Sequence, residues 1–455
     1  MKLKTTIPMT EILTPKFSKI KNLEITLEKK LQQLHPKKID LSLERINKLL
    51  YKLGNPQKKI KNIIHIAGTN GKGSVLAFLK SFIQAYGFTV NTYTSPHLIN
   101  FNERINLNGQ NISDKFLELL LDICSKKNNG KLITFFEMTT VTAFLAFNKK
   151  PADFTILETG LGGRLDATNI IKKPIVTIIN EISIDHTNFL GSNIKQIAKE
   201  KAGIIKKNSP VVIGKQKKEA LKIIKEVASN LKVKTFFYKK DWFIKENKKK
   251  NHIIFFNNLK NNKKEKYPQP NLVGEHQIIN AGIALKTFNL IIKKKLKKEF
   301  IKKGLKNVQW PGRLQKICLN KKKFSEKINF KKWEFWFDGG HNKSASQVLA
   351  KTFKNWDKKK LYLIFGMLNS KNPKNFLNYF KEITTKLITV AIKSDSPYYT
   401  NKKLYEIAKL NEFNVETAET IGHALNKILL NESPGRILIC GSFYMYKEVS
   451  KLLKK

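Results

Sequence analysis

Residues 63–78 read I-I-H-I-A-G-T-N-G-K-G-S-V-L-A-F: an apolar run breaks into a glycine-rich turn carrying one lysine and then resumes with helical spacing. A strand, a tight turn and a helix in that order constrain the fold strongly, because ligands of open parallel sheets bind at the carboxyl ends of the strands. The glycines of the turn leave no side chain between the backbone amides and a phosphate. Lys72 adds a point charge, and the helix beginning at Ser74 adds its positive dipole end. The usual phosphate loop ends Gly-Lys-Ser/Thr, whereas here Gly73 separates Lys72 from Ser74.

Short apolar runs recur at 88–94, 154–158, 175–180 and 211–213 with helical patterns between them, which predicts a mainly parallel sheet covered on both faces. Ahead of the loop, the first sixty residues read as helical. Leu41, Leu43, Ile46, Leu49 and Leu50 fall on one apolar face until Gly54-Asn55-Pro56 stops the helix. Residues 232–266 read as a hairpin with a lysine-rich turn, and a helical pattern covers 280–296. Trp310-Pro311-Gly312-Arg313 suits a hinge. Runs at 334–337, 361–365, 387–391 and 436–440 read as strands of a second, smaller α/β domain. The expected division is an N-terminal extension (1–40), a central ATP-binding domain (41–309) and a C-terminal domain (310–455); 455 residues exceed what one core supports.

Lys and Arg total 86 against 35 Asp and Glu, a formal charge of +51. Such a balance raises the question of nucleic acid. The lysines, however, are scattered with Asn, Ile and Phe as in a general compositional bias, and neither a recognised reader motif nor interleaved aromatic platforms accompany them. A nucleic-acid partner is therefore not expected. Cys124, Cys318 and Cys440 form no metal or redox spacing, which predicts free thiols in a reducing compartment, the cytoplasm. Pro8 and Pro15 interrupt any signal-peptide core, and no apolar stretch approaches a membrane span, so no membrane partner is expected.

Several strand ends carry candidate chemistry. The run 154–158 ends in Glu158, beside the place where a metal would meet phosphates, although an acid there can equally cap a turn. The run 175–180 leads to Ser183-Ile-Asp-His186, and His186 is either a ligand or a structural histidine. Composition gives Lys201 of K-E-K-A-G-I no role beyond a solvated surface. In the second domain, Asp338 can take a ribose hydroxyl and His341 a phosphate. Arg313, in the hinge, can bring charge to a phosphoryl transfer as domains close. Loop polarity alone would also account for these three.

The motifs A-G-T-N-G-K-G-S, S-P-H-L, F-F-E, L-E-T-G-L-G-G-R-L-D-A-T-N, D-H, E-K-A-G-I, P-G-R, D-G-G-H-N and C-G-S-F, in this order over about residues 40–445, resemble the folylpolyglutamate synthase and dihydrofolate synthase family, relatives of the Mur ligases. The displaced serine is shared with the Mur ligases; S-P-H-L, Phe136-Glu137 and the L-G-G-R-L-D-A-T-N loop point to the folate branch. D-G-G-H-N departs from the D-x-A-H-N common in relatives by one small residue.

The resemblance implies a Mur-ligase-like P-loop ATPase domain with a mainly parallel sheet, followed by a smaller Rossmann-like α/β glutamate-ligase domain. It implies ATP phosphates held by Thr69, Asn70, Gly71, Lys72, Gly73 and Ser74, with Asn280, Arg313, Asp338 and His341 also contacting the nucleotide. Magnesium, as two ions, is implied at Ser95, Glu158, His186 and Lys201, with Ser74 nearby; Lys201 matches a carbamylated lysine, and Lys72, Lys201 and His186 are the implied catalytic groups. Thr134, Phe135, Phe136, Glu137, Leu165, Asp166 and Ala167 match segments that contact pteroate or folate. The implied activity is ATP-dependent joining of L-glutamate to 7,8-dihydropteroate and/or to (tetrahydro)folate; a monomer is expected. A Mur-type amino-acid ligase of peptidoglycan synthesis is the alternative; it predicts a nucleotide-sugar domain before the loop, for which the short leader leaves little room.

Overall fold

The computed structural model describes residues 40–259, 263–292, 297–394 and 396–454. The helical reading of residues 1–39, most of the proposed extension, lies outside them, as do 293–296 of the expected 280–296 helix and 260–262 of the lysine-rich segment.

Ile63–Ala67 (β1) is buried at every residue, as a central parallel strand must be. It lies inside an eight-stranded sheet with Val90–Tyr93 (β2), Ile105–Leu107 (β3), Gln110–Asn111 (β4), Phe154–Glu158 (β5), Val176–Ile179 (β6), Val211–Ile213 (β7) and Thr235–Phe237 (β8). The order is β4-β3-β2-β5-β1-β6-β7-β8. The six strands from β2 to β8 pair in parallel, while β3 and β4 close one edge antiparallel. Ile66 is level with Glu158 on one side, and Ala67 with Ile179 on the other. The loop after β1, the acid ending β5 and the turn after β6 therefore emerge side by side.

The helix Lys72–Ala85 buries Val75, Leu76, Phe78, Leu79, Phe82 and Ile83 against this sheet. Each such side chain contributes about 1.5–3 kcal/mol of burial free energy. On the other face, the helix Phe135–Lys149 starts at a capping box: Thr134 Oγ1 accepts from the Glu137 amide at 3.2 Å and Glu137 Oε2 accepts from the Thr134 amide at 2.8 Å. Glu44–Lys52 packs Ile46, Leu49 and Leu50 inward and stops at Gly54, where φ is 74°.

The segment expected as a hairpin divides. Its first part, β8, joins the main sheet. The rest forms a three-stranded antiparallel sheet of Phe243–Asn247 (β9), His252–Asn258 (β10) and Lys263–Pro268 (β11), with the lysine-rich turn at Lys248–Lys250. Ile244, Ile253, Phe255 and Tyr267 turn to the core beside the helix Glu275–Ile291, which starts five residues before the expected 280 because Gly274 ends the preceding loop there.

The second sheet has the order β12-β13-β17-β14-β15-β16 and is parallel except for its first pair. Its strands are Gln315–Lys316 (β12), Glu334–Asp338 (β13), Leu361–Phe365 (β14), Thr384–Thr389 (β15), Val415–Thr417 (β16) and Arg436–Cys440 (β17). The expected 387–391 strand begins earlier, on the polar, half-exposed Thr384-Thr-Lys386, where hydropathy gives no signal. No helix among the described residues is long and apolar enough to cross a membrane.

Candidate active site

The phosphate loop touches three other segments. Gly71 has φ 77°, and a Cβ there would lie 2.4 Å from Asn180 Nδ2 and 2.6 Å from Asn280 Oδ1. At Gly73, the residue that displaces the serine, a Cβ would fall 2.6 Å from the Trp310 ring. The unusual spelling thus makes room for the hinge tryptophan. Thr69 is engaged by its backbone and by its hydroxyl, which bonds to the Ser183 carbonyl and amide at 3.0 and 3.1 Å.

Two lysines share the loop's first carbonyl. Lys72 Nζ and Lys201 Nζ each donate to Gly68 O at 3.0 Å. Lys201 is 5% exposed, and burial together with the neighbouring Lys72 brings its pKa down to about 7. It is no surface lysine. Lys72 Nζ also lies 3.9 Å from Glu158 Oε1, whose carboxyl is raised by burial against the opposing pull of Lys72 and Arg313, and which accepts the Ser95 amide.

Beyond the loop lie two cavities. One, of about 420 Å³, is lined by Asn70, Gly71, Ser74, Asn280, Arg313 and Asp338. Its walls hold polar atoms without partners among the described residues: Ser74 Oγ, His276 Nδ1, Gln277 Nε2 and Arg313 Nε. Asp338, at the end of β13, accepts the Leu314 amide at 2.7 Å and the Gly340 amide at 2.6 Å. Arg313 lies over the Phe443 ring at 4.4 Å.

The other cavity, of about 350 Å³, opens between the domains. Thr134, Phe136, Glu137, Leu165, Asp166 and Ala167 line it together with Ser95 and His186. Phe135, grouped with them from the sequence, instead lies against Phe101 and Arg104. His341, expected beside the nucleotide, also faces this cavity, with Nε2 3.9 Å from Asp185 Oδ2. The strand-end glycines carry it past the wall that Asp338 supplies. His186 has its pKa lowered to about 4 by desolvation and by Lys371, Lys201 and Lys72, against Asp185. At neutral pH its imidazole is uncharged, the form that binds metals.

Sequence reasoning missed the groups that join the halves. Asp185 Oδ1 accepts Lys371 Nζ at 2.6 Å, and its Oδ2 accepts Asn342 Nδ2 at 3.1 Å; Asn342 also donates to Asn70 at 3.0 Å. Lys371 gave no signal in so lysine-rich a chain, whereas Asp185 stood in the D-H pair with only its histidine used. Asp40, Leu41 and Ser42 line the second cavity too, just before a helix read only as a lead-in. Arg45 Nε bonds Glu137 Oε2 at 3.1 Å, leaving Glu137 Oε1 buried without a partner among the described residues.

No three His, Cys, Asp or Glu side chains converge as a metal centre among the described residues. The buried Ser74 hydroxyl, the Glu158 carboxyl and the neutral His186 nevertheless suit a divalent cation bound beside phosphates, which accepts hydroxyl, carboxylate and water oxygens.

A phosphate-type loop at the end of a parallel strand, facing a second α/β sheet with two cavities beside it, is the architecture of a Mur-type ligase. Residues 66–288 match the family described as Mur ligase middle domain, and residues 320–453 match the dihydrofolate synthetase C-terminal domain. The chain is 32% identical to the dihydrofolate synthase/folylpolyglutamate synthase of Bacillus subtilis, over 90% of this chain and 95% of the relative. The structure of E. coli FolC in complex with DHPP and ADP superposes with a TM-score of 0.82 at 27% identity, covering 94% of this chain and 96% of that one. The bifunctional folylpolyglutamate synthase/dihydrofolate synthase of Yersinia pestis, complexed with AMPPNP and Mn ion, gives 0.82 at 26%, covering 94% and 97%. The chain belongs to the dihydrofolate synthase/folylpolyglutamate synthase family.

Proposed function

We propose that this protein uses ATP to join L-glutamate to 7,8-dihydropteroate and/or to (tetrahydro)folate through an acyl phosphate, in folate biosynthesis and polyglutamylation. The observation that carries this reading is a cavity lined by Asn70, Gly71 and Ser74 of the phosphate loop and by unpaired polar atoms, together with a second cavity lined by Phe136-Glu137, Leu165-Asp166-Ala167 and the metal-ligand candidates Ser95 and His186. The DHPP and ADP in the E. coli relative and the AMPPNP and Mn ion in the Yersinia relative support it. A Mur-type amino-acid ligase is not favoured, since the C-terminal match is to dihydrofolate synthetase. We assign residues 41–309 to the central domain and 310–455 to the ligase domain, in keeping with the two matched spans.

In this reading ATP lies along the loop, and the acceptor carboxylate reaches the γ-phosphorus from the second cavity. Attack by a carboxylate oxygen releases ADP and leaves an acyl phosphate. The glutamate amine then adds to the carbonyl carbon, loses a proton, and expels phosphate that keeps the attacking oxygen. Lys72 and Arg313 spread the charge that develops on the phosphoryl oxygens. Asp185, Lys371 and Asn342 hold the domains together and keep water from the intermediate. Ser95, Glu158, His186 and Lys201 would hold magnesium as two ions, with Ser74 nearest the nucleotide; when bound, magnesium supplies charge neutralisation across the phosphates.

Lys201 would do so as a carbamate. Its amine, with a pKa of about 7, is substantially neutral near neutral pH, adds to carbon dioxide, and loses a proton to become an anion. That change replaces repulsion from Lys72 with attraction. We also read the protein as a cytoplasmic monomer; the free Cys124, Cys318 and Cys440 support the compartment.

The test is phosphate release from ATP with purified protein, dihydropteroate and L-glutamate. Release that requires both acids is expected; release indifferent to either defeats the proposal.

A further inference from the structure

A buried chain of hydrogen bonds runs from the phosphate-bearing strand to the acceptor cavity, and none of the steps above uses it. It begins at His65, in the middle of β1 and fully buried. His65 Nε2 lies 2.8 Å from Thr168 Oγ1, and Thr168 Oγ1 lies 2.5 Å from Asp166 Oδ1. The Asp166 carboxylate further accepts the amides of Thr168 at 3.0 Å, Leu161 at 2.8 Å and Gly160. Gly160, Leu161, Leu165, Asp166 and Ala167 are one wall of the acceptor cavity.

The direction of the chain follows from donor arithmetic. A carboxylate only accepts, so the single hydroxyl hydrogen of Thr168 points to Asp166. Thr168 Oγ1 can then only accept from His65, which fixes the ring as the Nε2–H tautomer with a bare Nδ1. Nδ1 indeed has no partner among the described residues. Burial and the charge of Lys206 hold the imidazole neutral. A leucine would fill the same space without burying an unpaired nitrogen, so what the histidine adds is the Nε2–H bond.

We propose that His65 is a positioning residue: acting through Thr168, it holds Asp166 and the 160–167 wall of the acceptor cavity in register with the phosphate loop that leaves the end of its own strand. The inference rests on the reading of that cavity as the acceptor site. It makes β1 a common frame for both substrates, with the phosphates at its tip and the acceptor wall hung from its middle.

The test compares His65→Leu, which removes the donor, with His65→Gln, whose amide can donate from the same place, and with Thr168→Val, which cuts the next link. His65→Leu is expected to raise KM for dihydropteroate about tenfold through misplacement of the wall, leaving KM for ATP within about twofold. Thr168→Val should match it, the double variant should be no worse than either, and His65→Gln should return most of the loss. Amide hydrogen exchange at Gly160, Leu161 and Thr168 should rise in His65→Leu and Thr168→Val but not in His65→Gln. An unchanged acceptor KM, an equal rise in KM for ATP, or unchanged exchange would overturn the relay. If His65→Leu does not fold, Thr168→Val and His65→Gln decide the same questions. A wild-type protein without acceptor-dependent turnover would instead overturn the functional reading, and exchange would still decide whether His65 holds the wall.

Discussion

The two cavities are built on opposite principles. In the cavity beside the phosphate loop, which we assign to the nucleotide, polar groups stand without partners: Ser74 Oγ, His276 Nδ1, Gln277 Nε2 and Arg313 Nε have none among the described residues. In the acceptor cavity the polar groups are largely spent on one another: Asp166 holds three amides and a hydroxyl, and Glu137 closes a capping box and binds Arg45. A buried polar atom without a partner is costly, so the first cavity is poised to gain from a ligand rich in donors and acceptors. The second is braced by its own hydrogen bonds, with Glu137 Oε1 an acceptor without a partner among the described residues.

The sharpest way to break this contrast is at the loop. Lys72→Ala should lower phosphate release about 10²- to 10³-fold, since its charge acts where the transferred phosphoryl develops negative charge. Activity near wild type would remove the loop from the chemistry. Lys201→Ala should cost about 10²-fold if a carbamate holds the metal, and the wild-type protein in labelled bicarbonate should show a carbamate carbon signal that this variant lacks. In the acceptor cavity the effect should fall on binding. Arg45→Ala, which leaves Glu137 without its cation, should raise KM for the acceptor about tenfold and leave KM for ATP unchanged; equal effects on both would erase the distinction between the cavities.

The last effect concerns stability rather than turnover. His65 and His276 have pKa values lowered to about 3 and about 4 by burial, against about 6.5 in the unfolded chain. The unfolded state therefore takes up protons first as pH falls. Their contribution is complete above about 6.5 and lost progressively toward about 3–4, so the melting temperature should decline from pH 7 to pH 4. A flat profile would mean that these rings are charged or exposed.

The nucleotide side was the more legible in the sequence for the same reason that its groups are unpaired. Phosphate binding needs backbone amides, glycines and a lysine within a few residues, so the loop, β1 and β5 could be read locally. The acceptor wall depends on contacts such as Arg45 with Glu137 and His65 with Thr168, 92 and 103 residues apart. No periodicity records such pairs, and only resemblance pointed to F-F-E and L-D-A. The same holds for Asp185 and Lys371, separated by 186 residues. The short strands β3, β4, β12 and β16 escaped notice because they are two or three residues long and largely polar, whereas the equally short β7 is Val-Val-Ile.

The central claim, that ATP activates the acceptor's own carboxylate, is tested most directly with dihydropteroate carrying oxygen-18 in that carboxylate. Phosphate released in the presence of ATP and L-glutamate should carry one labelled oxygen, transferred when the amine expels it from the carbonyl. Unlabelled phosphate, with dihydrofolate still formed, would contradict the acyl phosphate and the account built on the two cavities.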